Sequence, residues 1–522
     1  MDVFAEKFAD IKILRYSVPE FEKLDLNQKI YIYYLSQAAL CGRDILWDQN
    51  NRFNLAVREV LETIYQSFKG NRETSEFKQF AVYLKRIWFS NGIHHHYSTE
   101  KMPAGFSETY FSELLEQSDW FGFQLPSGKS FEAFIAEIKD VIFNLEIEKK
   151  RVNLESDKDL IQSSSNNYYQ KVSQSEAETF YGDLKAAAGA KPVSFGLNST
   201  LVKENGHLVE KVWKLNGKYG KAIEQIIFWL DKAKDYAENE IQKKYIGHLI
   251  EYYATGDLSK FDEYSIDWVK EQEGDVDFVN GFIEVYGDPL GIKGSWESIV
   301  NYKDIEATKR ATILSENAQW FEDHSPVSPE FKKTEVRGVS AKVINVAILA
   351  GDCYPATPIG INLPNAEWIR ETYGSKSVTI ENITQAYFLD SMGNGMLEEF
   401  AGSAEEIDRA KQYGYLAGNL HTDLHECLGH GSGKVLEGVN TDVLKNYYST
   451  IEETRADLFA LYYIMDEKMI ELGLVPSIEA AKAEFDAYLR NGLLTQLTRI
   501  EPGKDIEESH MRNRQLIARW AY

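Results

Sequence analysis

The chain has 522 residues, 43% of them apolar, with 57 Lys plus Arg against 81 Asp plus Glu, a net charge of −24. That length supports two or three domains with sizeable cores, and the negative balance argues against nucleic acid or an anionic membrane as the main partner. Three scattered cysteines (Cys41, Cys353, Cys427) make no disulfide framework, no run of 18 apolar residues forecasts a membrane span, and Met1 to Lys7 lacks the apolar centre of a signal peptide.

Residues 1 to about 150 read mainly as helices: Phe21 to Leu40, Phe53 to Phe68 and Phe131 to Leu145 repeat apolar residues at spacings of three and four. Asn91-Gly92-Ile93-His94-His95-His96-Tyr97 sets three histidines side by side. Consecutive residues point different ways, so they are not expected to form one tetrahedral metal site. The charge run Glu146 to Arg151 reads as a solvated helix face, Gln162 to Asn167 as a loop or joint, and Lys185 to Gly196 as a connector. Phe282-Ile283-Glu284-Val285-Tyr286-Gly287-Asp288-Pro289 alternates and reads as a short strand ending at Asp-Pro. Ala341 to Gly351 is β-branched and apolar, a buried strand. Pro358 to Asn365 reads as a strand whose Pro364 marks an edge or an end, and an edge strand can hold an extended peptide by backbone pairing. Ser377 to Ile383 reads as another strand, and from about 392 the chain is helical again.

That last region carries His425-Glu426-Cys427-Leu428-Gly429-His430, followed by Glu452-Glu453-Thr454-Arg455-Ala456-Asp457. Zinc takes neutral imidazole and carboxylate ligands and, in catalytic sites, leaves one position open. It acidifies a water whose proton a nearby carboxylate removes. His425, His430 and Glu453 are the candidate ligands and Glu426 the candidate base. The spacing departs from the common H-E-x-x-H pattern. Five steps on a regular helix place two side chains about 140° apart, so an extra residue, as in a π-type bulge, is needed. Gly429, tolerant of unusual dihedrals, is the natural place for it. A rival pair, His421 and His425, lies four apart, with Glu426 outside it; spacing alone leaves both open. Leu420, Leu424 and Leu428 mark an ordinary core face on the same helix, and Cys427 is expected to be a packed thiol. Ser449-x-x-Glu452 and Thr450-x-x-Glu453 also fit helix capping boxes, which competes most directly for Glu452. Gly429 to Lys434 fails as a phosphate loop, because Leu428 and Val435 stand where that motif needs Gly and Ser or Thr.

The paired H-E-C-L-G-H and E-E-T-R-A-D segments resemble the signature of the dipeptidyl peptidase III family of zinc exopeptidases, in its bacterial branch. The resemblance implies that His425, His430 and Glu453 bind one zinc ion per chain, that Glu426 is the general base, and that Glu452 and Asp457 orient the histidines. F-I-E-V-Y-G-D-P is similar to a family segment in which the glutamate, here Glu284, helps bind the substrate's amino terminus. Its tyrosine, here Tyr286, hydrogen-bonds near the scissile carbonyl. G-I-N-L-P-N resembles a strand whose asparagines, here Asn362 and Asn365, grip the same end of the substrate. Glu508-Ser509-His510-Met511-Arg512-Asn513-Arg514 resembles a segment whose histidine, here His510, stabilises the transition state and whose arginine, here Arg514, lies in the cleft.

The resemblance further implies a predominantly helical α+β fold of two lobes around a wide cleft. Residues 1–304 plus 346–391 are expected to form a substrate-binding lobe with a β-core, and 305–345 plus 392–522 a mainly helical, zinc-carrying lobe. Family members continue beyond the last matching segment, so this chain is expected to lack their carboxyl-terminal portion. The expected activity is release of dipeptides from the amino terminus of short peptides. No nucleic acid or membrane partner, a monomer and a cytoplasmic location are expected, with a periplasmic or secreted location the alternative if a leader has been removed. A zinc endopeptidase and a peptide-binding protein without turnover are the competing functions.

Overall fold

The computed structural model describes residues 3–522 apart from 156, 190, 337–340, 356, 437–438, 440–443, 445–446, 500–505 and 507–508. Glu508, which opens the H-M-x-x-R segment, therefore lies outside the described residues. The chain is α+β and mainly helical. No helix among the described residues is long and apolar enough to cross a membrane.

An antiparallel hairpin, β1 (Phe4–Phe8) with β2 (Ile11–Leu14), precedes the helices; its alternation is too short to separate from a helical turn by pattern. The three expected helices form as Leu26–Cys41, Asn54–Ser67 and Phe131–Phe143. The first begins later than its apolar pattern because Asp25 and Gln28 close a capping box there, and Ser130 caps the third. Glu146 to Arg151 is not a helix face. It is a turn and a bridge, in which the Glu148 carboxylate pairs with Arg52 at 2.7 Å and accepts from Asn51 Nδ2 at 2.8 Å. The histidine triplet diverges: His94 Nε2 meets the Glu148 carbonyl at 2.7 Å and His95 meets Asp10 at 3.2 Å. A small sheet, β3 (Tyr169–Gln170), β4 (Ser199–Glu204) and β5 (His207–Val212), follows.

The central sheet is built from β6 (Val276–Glu284), β7 (Ser295–Lys303), β8 (Ala341–Gly351), β9 (Gly360–Leu363) and β10 (Lys376–Ile380). Its strand order is β6-β7-β8-β10-β9, with only β8 and β10 parallel. β6 starts earlier than alternation suggests, because all its residues up to Ile283 are buried, so no polar face marks its start. Its interior polar groups are satisfied, as burial demands: Asp277 accepts from Trp268 Nε1 at 3.0 Å and pairs with Lys376 at 2.9 Å. β10 stops at Ile380, where the helix Glu381–Ser391 begins, so the helical region opens earlier than the pattern indicated. β9 is an outer strand, consistent with Pro364 beyond its end. β6 and β9 are opposite edges of the sheet, yet Asn365 Nδ2 donates to Glu284 Oε2 at 3.3 Å. The sheet therefore curls until its two edges approach.

One apolar core joins this sheet to helices that precede it in sequence, through Tyr31, Leu249, Phe282 and Trp296. A second is confined to residues 47–147. A third packs Leu314 and Phe321 against Leu420, Leu424, Leu428 and Tyr463, so residues after 304 share a core with the histidine segment. Cys427 is 2% exposed within that core, a packed thiol.

Candidate metal centre and substrate site

The helix Ala404–Asp423 runs without a break into a π-helical turn, Leu424–Gly429. The His430 N–H donates to the His425 carbonyl at 3.0 Å, a bond across five residues that inserts the extra residue into the turn. His425 and His430 thereby share one face, with ring centroids 4.8 Å apart. Gly429 has a different reason from dihedral tolerance, since its φ is not positive. A Cβ there would lie 2.9 Å from Ala456 Cα and 3.0 Å from the Ala456 carbonyl oxygen. Glycine is needed so that the helix Tyr447–Ile464 can lie directly against the turn. Gly429→Ala is expected to cost about 1–3 kcal/mol by overpacking and to weaken zinc binding, because it levers the acid-bearing helix away. Thermal unfolding with and without zinc checks this; an unchanged midpoint and unchanged zinc affinity would refute the steric account.

Ser449 and Thr450 lie inside Tyr447–Ile464, so neither caps it, and the acids that follow them are free for other work. Glu453 faces both imidazoles: its Oε2 is 3.2 Å from His425 Nε2 and its Oε1 4.0 Å from His430 Nε2. The other ring nitrogens face different acids. His425 Nδ1 meets Asp457 Oδ1 at 2.8 Å, and His430 Nδ1 meets Glu452 Oε1 at 3.0 Å. Carboxylates on Nδ1 hold a proton there and turn each Nε2 toward Glu453, where a metal would take the place of the Nε2 proton. Donor atoms of His425, His430 and Glu453 all lie within 4.8 Å of one another. Zinc bonds of 2.0–2.2 Å set tetrahedral donors about 3.4 Å apart, so this trio fits the ion. Glu426, on the same turn, is half-buried and makes no hydrogen bond or ion pair among the described residues.

A second trio, His421, His425 and Asp457, is equally compact. Its carboxylate is already saturated. Asp457 Oδ1 takes His425 Nδ1 and His421 Nε2 (3.3 Å), and Oδ2 takes the Tyr488 hydroxyl (2.7 Å) and Asn513 Nδ2 (3.1 Å). A carboxylate has about four acceptor positions, and all are used. The Glu453 carboxylate, by contrast, is met among the described residues only by imidazole nitrogens, those of His425, His430 and His510.

The charges agree with a site built for a cation. Burial opposes charge on His425, yet Asp457 and Glu453 carry it from the usual 6.5 to about 10. Burial alone raises Glu452 and Asp457, and their imidazole partners, with Arg455 at Glu452, reverse this. Glu452 falls to about 2, with His430 and Arg455 responsible, and Asp457 drops far below the carboxylate range through His421 and His425. Arg455 also donates through Nη1 to the Gly429 carbonyl at 2.6 Å and to Ser432 Oγ at 2.7 Å, locking the π turn to the acid-bearing helix. The sequence offered a hint of this residue, three positions after Glu452. It offered none of Tyr488 and Asn513, which reach Asp457 from distant helices.

His510, in the helix Ser509–Ala521, places Nδ1 3.4 Å from Glu453 Oε2 with its side chain half exposed. Arg514 stands behind the histidines, its guanidinium 4.0 Å over the Tyr488 ring. On the sheet, Glu284 and Asn365 are joined as described. Asn362 is tied beside them, donating to Ser377 Oγ at 2.8 Å and accepting from Arg370 at 3.1 Å. Burial, opposed by Asn365 and assisted by Asp352, raises the Glu284 carboxyl, and no cation pairs with it among the described residues. Tyr286 is 82% exposed. No hydrogen bond or ion pair among the described residues links Glu284, Tyr286 or Asn365 to the histidine cluster.

The profile of peptidase family M49 matches residues 162–447, more than half of the chain and the stretch containing Glu284, Asn365 and the H-E-C-L-G-H turn. The chain belongs to peptidase family M49. Dipeptidyl peptidase 3 of Dictyostelium discoideum is 28% identical over 314 residues, covering 53% of this chain and 43% of that protein. Human dipeptidyl peptidase 3 is 26% identical over 340 residues, covering 58% and 45%. The chain thus spans about half the length of the curated relatives it matches. Among solved structures, DPP III from Caldithrix abyssi shares the fold with a TM-score of 0.68 at 21% identity, covering 95% of this chain and 80% of that one. DPP III from Corallococcus sp. strain EGB gives 0.64 at 18%, covering 97% and 80%. The M49 match ends before Glu452, Glu453, Asp457, His510 and Arg514, so for these residues the geometry stands by itself.

Proposed function

We propose that this M49 chain is a zinc-dependent exopeptidase that releases dipeptides from the amino terminus of short peptides. The observation that carries the reading is the two-sided histidine pair, with Nε2 atoms turned to Glu453 and Nδ1 atoms held by Asp457 and Glu452. His425, His430 and Glu453 would hold the zinc ion, which supplies Lewis acidity to a carbonyl and a water. Glu426, without another side-chain partner among the described residues, takes the proton of the attacking water and passes it to the leaving amine. His510 and Tyr286 donate to the developing oxyanion, where preorganised donors give the largest gains. Glu284 and Asn365, with Asn362 beside them, receive the substrate's ammonium group, and Arg514 supports the cleft from behind Tyr488. The working division is a sheet-bearing lobe, 1–304 plus 346–391, and a zinc-bearing lobe, 305–345 plus 392–522. β8 begins at Ala341 and pairs with β10 from there, so the strand side of that boundary starts a few residues earlier.

Zinc content measured alongside turnover of a dipeptidyl-arylamide tests the reading. Equal cleavage of peptides with blocked amino termini would favour an endopeptidase, and peptide binding without turnover a binding protein. A sharper measurement concerns the anchor. A charge-assisted hydrogen bond of about 1.5–3 kcal/mol corresponds to about ten- to a hundredfold, so Glu284→Gln should lower kcat/KM by that much. Acetylating the substrate's amine should cost at least as much in the native enzyme and much less in Glu284→Gln. Additive losses in this double cycle would show that Glu284 does not bind the amine.

A further inference from the structure

A cavity of about 620 Å³ lies beside the substrate strand, lined by Val279 and Ile283 of β6 but not by Glu284, which alternation turns to the other face. Its size is that of a small-molecule site. The helix Leu258–Lys270 forms one wall through Phe261, Ser265 and Trp268, spaced by four and three. The helix Glu367–Tyr373 forms another. Among these apolar side chains sits Asp262, 8% exposed and without a hydrogen bond or ion pair among the described residues. A buried carboxylate is costly unless paired. Burial, with Asp257 behind it, pushes the Asp262 carboxyl up to about 7. Across the cavity, Trp368 Nε1–H is buried with no acceptor among the described residues. Of the charged side chains lining the space, Asp262, Glu367 and Glu371 are acids and only Lys185 is basic.

We infer that this cavity binds an organic amine, its ammonium paired with Asp262 and its apolar or aromatic body held between Phe261 and Trp268. Asp262 would supply the charge and hydrogen bond, and the aromatic walls the burial. The histidine cluster and Glu284 do not line the space; Asn365, which does, is shared with the proposed amine anchor, so the two readings are separated through Glu284.

The test is calorimetric titration of the intact chain with tryptamine and with its uncharged counterpart 3-ethylindole. Tryptamine should bind one per chain and about tenfold or more tighter than 3-ethylindole. Asp262→Asn should abolish that preference without lowering the unfolding midpoint, because it removes an uncompensated buried charge. Ser265→Leu, which fills the cavity and spares the carboxylate, should weaken tryptamine. Glu284→Gln should leave tryptamine binding intact, so failure of the peptidase reading and failure of this one are separable. Equal affinity for the two probes, no binding, a preference that survives Asp262→Asn, unchanged tryptamine affinity in Ser265→Leu, or loss in Glu284→Gln would each overturn the assignment.

Discussion

Glu426→Ala is expected to retain its zinc and to lose about a hundred- to ten-thousandfold in kcat, the range general acid–base catalysis supplies. Glu426 follows a proposed ligand in sequence but contributes no atom to the compact trio of His425, His430 and Glu453. The groups that orient that trio, Asp457 and Glu452, do not touch it, so its removal leaves the donor geometry in place. Cys427 and Leu428, buried in the core on the same turn, hold the backbone regardless of the side chain at 426. Metal analysis and turnover must therefore separate in this variant. Near-normal turnover at equal zinc content would remove Glu426 as the base, and loss of zinc together with activity would make it a structural part of the centre.

Glu453→Ala is expected to empty the site, whereas His421→Ala is expected to leave zinc bound. The two histidine pairs share His425 and differ in which of its nitrogens meets the ion. On the Asp457 side Oδ2 is already held by the Tyr488 hydroxyl and the Asn513 amide, so a metal drawn to that carboxylate has only Oδ1, between the two imidazoles, to bind. On the Glu453 side the carboxylate is met among the described residues only by imidazole nitrogens, which a metal would take as ligands. Asp457→Asn, which disturbs His425 only through its Nδ1, should lower zinc affinity by about ten- to a hundredfold, less than loss of a ligand. The opposite ranking, with His421→Ala empty and His430→Ala loaded, would move the metal to the other trio.

Much of this centre is legible in the residues from 425 to 457. Five-residue spacing of two histidines is incompatible with a regular helix, so the π turn follows from the sequence and elementary helix geometry. The strand Ala341–Gly351 is likewise written in an unbroken apolar run. Other features were misread for identifiable reasons. Glu146 to Arg151 has the composition of a solvated helix face, yet tertiary contacts from Arg52 and Asn51 gather Glu148 into a turn. The capping boxes at Ser449 and Thr450 are valid local patterns overridden by a helix that includes them. Gly429 was read as a conformational need and is a steric one.

By itself the sequence determined the donor types, their order, the extra residue in the histidine turn and the central buried strand, because each depends on side chains within a few turns of one another. The tertiary structure alone decided which imidazole nitrogen faces which acid and which of two overlapping trios has a carboxylate met by imidazoles alone. It also decided that Glu284 and Asn365, on opposite edges of the sheet, meet at 3.3 Å. Those outcomes depend on how helices separated by tens of residues pack and how far a sheet curls, and packing of that range leaves no periodic trace in the chain.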